Sequence, residues 1–211
     1  IIVWGDNPNT TIKDGFAIGE PFTFRIWDGV EEVEYPAVAT FSLGPTSYEM
    51  SGFSMLESLT TDLNQTQNIN LNNGWNTISS YITPQNPSMP NVFSSILTSV
   101  RIVKNNFGQM YVPEWGLNSI GNWNVNHGYQ INVYAPTQLP ITGVPIQPEF
   151  HQINMNNGWN LTSYLRNNPM SPVTALNSIT SSLILVKDGS GGIYSPIFGI
   201  NTIGNMQSGK G

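Results

Sequence analysis

The first 63 residues are patterned for strands. Segments 21–27, 35–42 and 46–51 alternate apolar and polar positions or carry β-branched and aromatic residues, with Gly-Pro and Asp-Gly punctuation between them. Ile1-Ile2-Val3-Trp4 reads as a further strand already in progress. The pattern predicts a small β-sandwich-like module. Beyond residue 64 the period changes locally. Ser88-Met89-Pro90 and Ser171-Pro172 read as helix starts, with proline in the first turn where its missing N–H costs nothing. Val92, Phe93, Ile96 and Leu97 then fall at three-and-four spacing, a short amphipathic helix, and Val173, Leu176 and Ile179 repeat it more weakly. A buried-looking strand follows each helix, at 100–103 and 183–186, then a turn and a short strand through Tyr111 or Tyr194.

The duplication behind these pairs is the strongest signal in the chain. Asn70-Leu71-Asn72-Asn73-Gly74-Trp75-Asn76 returns 84 residues later as Asn154-Met155-Asn156-Asn157-Gly158-Trp159-Asn160. After the loss of one residue the offset is 83, matching Tyr81 with Tyr164, Lys104 with Lys187, Asn118 with Asn201, and Gly128 with Gly211. The Asn-Asn-Gly tripeptide predicts a tight hairpin turn, because Asn and Gly tolerate positive φ. In the first copy Gly128 leads into the alternating Tyr129-Gln130-Ile131-Asn132-Val133, whereas Gly211 stands where the second such strand would begin. Two alternatives follow: a fragment of a longer protein, which the register favours, or a second copy completed from elsewhere. The expected organisation is an acidic all-β sandwich-like module at 1–63, repeat module A at 64–134, a stiff Pro-rich linker at 135–149, and repeat module B at 150–211 without its final strand. The fold class is therefore mainly β with α+β repeats, each repeat a small sheet with one short helix.

Charge sharpens the first boundary. Residues 1–63 hold two basic residues against ten acids, including Glu31, Glu32 and Glu34; residues 64–211 hold five against three. Over the whole chain 26 asparagines outnumber the 20 charged residues, so the surface is dressed in amides. A net charge of −6 with no basic face argues against a nucleic-acid partner. The absence of cysteine excludes disulfides and thiolate metal sites. No apolar run is long enough for a helical membrane span.

Gly74-Trp75-Asn76 with Ile78-Ser79-Ser80-Tyr81, later Val103-Lys104, Gly121-Asn122-Trp123 and Gly128-Tyr129-Gln130-Ile131, resembles the "GWN…ISSY…VK…GYQ" modules of large multimodular bacterial proteins. The opening Val3-Trp4-Gly5-Asp6-Asn7, with Lys13-Asp14-Gly15-Phe16, is similar to a module that often precedes them. The resemblance is to secreted and cell-surface proteins of Bacteroidota and related bacteria, commonly exported with a C-terminal sorting domain. It implies an extracellular or cell-surface location and carries no catalytic or ligand site. The second copy departs from the pattern at Thr162 and Met206.

Catalytic chemistry is poorly represented. His127 and His151 are the only imidazoles, and His127 matches Lys210 in the second copy, as an exposed loop position would. Neither a nucleophile elbow nor a P-loop is present. Asp6, Asn7, Asn9 and Asp14 make an oxygen-rich loop that would suit calcium, although Pro8 and Asn9 break the EF-hand alternation; the competing reading is an Asx-turn loop. Apart from that calcium no cofactor is expected. Trp75, Trp159 and the paired tyrosines recur and so predict the core of each module. Trp115 and Trp123 do not recur, and they stand beside Asn118, Asn122 and Asn124. Flat rings flanked by neutral amides suit a sugar, the ring taking its C–H face and the amides its hydroxyls. The competing reading has Trp123 packed beneath its own loop.

These readings converge on a non-catalytic binding or adhesion region whose partner is a polysaccharide or cell-surface glycan. Two alternatives stand beside it. One is a self-assembling subunit of an extracellular fibre, sheath or matrix, joined through an open sheet edge in module B. The other is an accessory region of an extracellular enzyme.

Overall fold

The structure is a computed structural model that describes residues 1–29, 32–61 and 63–211; Glu31 of the acidic run lies outside them. The protein is mainly β, with several small antiparallel sheets and few short helices. It divides into two compact units, Ile1–Leu63 and Asn64–Gly211, at the point where the charge changes sign.

In the first unit, β1 (Phe24–Asp28), β2 (Val33–Leu43) and β3 (Met55–Thr60) form an antiparallel meander. Phe24 and Phe41 of this sheet lie 6.0 Å apart and each lies 6.4 Å from Phe22, which stands 5.5 Å from Phe16. Outside this meander Gly5 bridges Phe16 and Pro21 bridges Ser47. The strand predicted at 46–51 forms only in part: Phe22 N–H donates to Thr46 O at 3.0 Å and Tyr48 N–H to Glu20 O at 2.8 Å. The chain then turns, Gly52 N–H donating to Glu49 O at 3.0 Å with Ser51 at φ 60°, and the next strand comes later as β3.

The second unit begins with β4 (Gln65–Leu71), β5 (Gly74–Ile78) and β6 (Ile82–Pro84). Helix α1 (Met89–Val92) and a 3-10 turn (Ser94–Ser99) lead into β7 (Val100–Lys104), β8 (Met110–Val112) and β9 (Leu117–Asn118). Then come β10 (Tyr129–Val133) and β11 (Thr137–Pro145). The second repeat holds only α2 (Pro172–Ala175), a 3-10 turn, and the short β12 (Val186–Lys187), β13 (Ile193–Ser195) and β14 (Ile200–Asn201).

Two sheets built in the first repeat sandwich the core. One runs β5-β10-β7-β8-β9 and the other β4-β11-β6. The Asn-Asn-Gly turn is therefore a corner and not a hairpin, because β4 and β5 belong to different sheets. The side chain of Asn76 clamps that corner, accepting from Asn72 N at 2.9 Å and donating to Asn72 O at 2.8 Å. Residues 135–149 are a second correction. They hold no free linker, since β11 is the middle strand of its sheet and buries Leu139 and Ile141 completely or nearly so. Pro140 and Pro145 sit at ladder positions within it, in a segment whose proline content alone reads as a linker.

The two repeats also interlock within this unit. Gly128 N–H donates to Leu161 O at 3.0 Å and His127 bridges Thr162, so the first repeat reaches the second. Reciprocally, Ser79 N–H donates to Gly209 O at 3.2 Å and Ile78 bridges Lys210. A Cβ on Gly128 would stand 2.6 Å from Thr162 O, and one on Gly211 2.7 Å from Ile78 O. The paired glycines are thus explained by the same close approach made twice.

Candidate binding face

The outward face of the five-stranded sheet is set by strand parity. On β10, Tyr129, Ile131 and Val133 are buried at 0–1 % exposure, so Gln130 and Asn132 point the other way. The register then places Trp75 opposite Asn132 on β5, and Lys104 opposite Gln130 on β7. Trp75 is 54 % exposed and the Lys104 ammonium lies 5.1 Å from its ring centroid. A cation over an indole at this distance contributes about 0.5–1 kcal/mol at an exposed site. Both residues recur, and Trp159 is 70 % exposed. The expectation that Trp75 and Trp159 are core is corrected: Ile78 faces in, so Trp75, three residues away on the strand, faces out, and Trp159 is exposed at its own turn.

The tyrosines behave as expected. Tyr81, Tyr111, Tyr164 and Tyr194 are all buried, and burial raises the hydroxyl pKa of the first three. Tyr129 is shifted the same way by deeper burial.

The aromatic strip of Trp115 and Trp123 is not assembled. Trp123 is 4 % exposed, stacked on Tyr129 with centroids 4.3 Å apart and 6.2 Å from Phe93. Trp115 ends a 3-10 turn and is exposed. Asn118 spends its amide on its own loop, accepting from Gly121 N at 2.9 Å and donating to Gly121 O at 3.2 Å. Asn124 accepts from Asn126 N at 2.9 Å, while Asn122 is exposed and bridges Ser88 through its backbone. Local amide satisfaction, together with a stacked core indole, is the reading these residues support.

The oxygen-rich N-terminal loop closes on itself. Asp6 accepts from Asp14 N at 2.8 Å, Asp14 from Asn7 N at 3.0 Å, and Asn7 from Asn9 N at 3.0 Å. One side-chain oxygen each of Asp6, Asp14 and Asn7 thus receives a backbone N–H, as in an Asx turn. Among the described residues no group of three or more His, Asp or Glu could hold a metal ion. No helix among them is long and apolar enough to cross a membrane.

The histidines have partners other than carboxylates. His127 packs edge-on to Phe107 at 5.2 Å, and burial lowers its pKa. His151 Nε2 lies 2.5 Å from Asn126 Oδ1.

Comparison of the chain with protein-family models, with curated proteins and with solved structures returned no match.

Proposed function

We propose that this chain is a non-catalytic binding and adhesion region of a secreted or surface-anchored bacterial protein, and that it holds a glycan through Trp75 and Trp159. One observation carries the reading: a tryptophan that recurs at the same turn in both repeats stands exposed in both. An exposed tryptophan presents an apolar body with a polar N–H, a combination enriched at contact surfaces. The indole offers a stacking platform for a sugar's C–H face, Gln130 offers an exposed amide, and Lys104 favours an acidic sugar over a neutral one. Two weak sites in one chain gain avidity without either being strong.

Native affinity electrophoresis through gels containing neutral or acidic polysaccharides tests this. The chain is expected to be retarded most by an acidic glycan, and retardation is expected to vanish in Trp75→Ala/Trp159→Ala at unchanged circular dichroism. Equal mobility in every gel, or equal retardation of the double variant, refutes the reading.

The reciprocal packing of the repeats favours a second reading, a structural subunit of a fibre, sheath or matrix. Sedimentation that grows with concentration would support it, and a single monomeric species at every concentration would refute it.

A further inference from the structure

The corner before each recurring tryptophan carries a chemistry of its own. Asn73-Gly74 and Asn157-Gly158 are the two Asn-Gly pairs of the chain. Both asparagines are exposed, and among the described residues neither side chain has a hydrogen-bond partner. Gly74 and Gly158 hold φ of 86° and 92°, and beyond their chain neighbours no atom lies within 4 Å of where a Cβ would stand on either. Without that carbon, the glycine nitrogen is open to the side chain before it.

The neighbouring asparagines are occupied. Asn76 accepts from Asn72 N and donates to Asn72 O and, at 3.1 Å, to Gly74 O. Asn160 repeats all three bonds on Asn156 and Gly158, the last again at 3.1 Å. Asn118 and Asn201 are closed onto Gly121 and Gly204. Each clamp thus grips the backbone on both sides of Asn73 or Asn157 and leaves that side chain free.

We infer that Asn73 and Asn157 are sites of spontaneous deamidation, and that the Asn76 and Asn160 clamps set its pace. In the first step the backbone nitrogen of the following glycine bonds to the asparagine Cγ. The Cγ–Nδ2 bond breaks, and ammonia leaves with the glycine amide proton. The product is a five-membered succinimide, favoured because both reacting groups sit in one short segment. Water, the sole co-reactant, then opens the ring at either carbonyl to aspartate or isoaspartate. No electrons are exchanged, and each event adds one negative charge. Ring closure requires the peptide between Asn and Gly to rotate toward the side chain. A backbone tied at residues 72 and 74, or at 156 and 158, resists that rotation. Each charge arises two residues before an exposed indole. It opposes an acidic glycan there, a consequence that rests on the glycan reading; the chemistry itself does not.

The test incubates the full chain, without glycan, in mildly alkaline buffer made with heavy-oxygen water, and maps its peptides by mass spectrometry. Asn73 and Asn157 are each expected to take up heavy oxygen and to give aspartate and isoaspartate, which chromatography separates. Asn76, Asn118, Asn160 and Asn201 are expected to stay unlabelled. Asn76→Ala is expected to quicken conversion at Asn73 at least about fivefold, the factor for one lost hydrogen bond, and to leave Asn157 unchanged. Asn160→Ala is expected to do the reverse, and it keeps the comparison available should Asn76→Ala unfold the chain. Equal rates with and without the clamps overturn the inference. So does aspartate without isoaspartate, or a chain in which neither asparagine converts. Glycan retardation is measured separately, so its failure would leave these rates standing.

Discussion

Leu139→Ala separates a structural strand from a linker. Leu139 is fully buried in the middle of β11, paired in register with Ile69 of β4. Burial of a leucine side chain contributes about 1.5–3 kcal/mol by transfer alone. The cavity left by truncation raises the measured cost to about 2.5–5 kcal/mol. A domain holds only about 5–15 kcal/mol of stability, so a large share of it would go. The matched control is Met155→Ala in the second repeat, where 39 % exposure holds the expected cost to about 1 kcal/mol or less. The assay is urea unfolding of the full chain, read through hydrogen exchange at the amides of β4 and β11, so that the first unit does not contribute. An unchanged slope with a shifted midpoint would report stability alone. A Leu139→Ala cost within about 0.5 kcal/mol of zero would refute the core assignment and restore a linker.

The interlock predicts that Gly128→Ala destabilises by about 1–3 kcal/mol, because its methyl meets a backbone carbonyl that cannot swing aside; thermal unfolding reads this directly. Asn76→Ala is expected to cost about 1–2 kcal/mol in urea unfolding by removing the corner clamp, and Asn160→Ala to melt only its own turn, seen as local exchange. His127 is held below its ordinary pKa by burial, so the unfolded chain takes up a proton first as pH falls. Stability is expected to decline from pH 7 through the ordinary histidine range and to level off below the folded value, and His127→Gln to flatten that part of a melting-temperature profile. Trp115→Ala is expected to leave the melting temperature unchanged, since its ring is 75 % exposed.

Local chemistry was legible in both repeats. Asn76 and Asn160 clamp the same corner with bonds of 2.9 and 2.8 Å in each. Asn118 and Asn201 close the same loop onto Gly121 and Gly204. Ser171 caps α2 through Val173 N, and the paired tyrosines are buried as their recurrence implied. The candidate site was legible only in part. Recurrence pointed at Trp75 and Trp159 but read them as core. Counting from Ile78 in steps of two would have placed Trp75 outside, whereas nothing local showed that Trp123 would stack on Tyr129.

The sequence by itself determined the boundary at residue 64, the duplication, and the turns, because each rests on composition or on bonds spanning a few residues. Only the tertiary structure decided which segments became strands. A turn is satisfied by its own side chains, whereas a strand exists only where a distant partner accepts its N–H groups. Similar sequences gave β4 and β5 in the first repeat, where β11 and β10 lie against them, and irregular chain in the second. The same cause turned a proline-rich stretch into the central strand of a sheet.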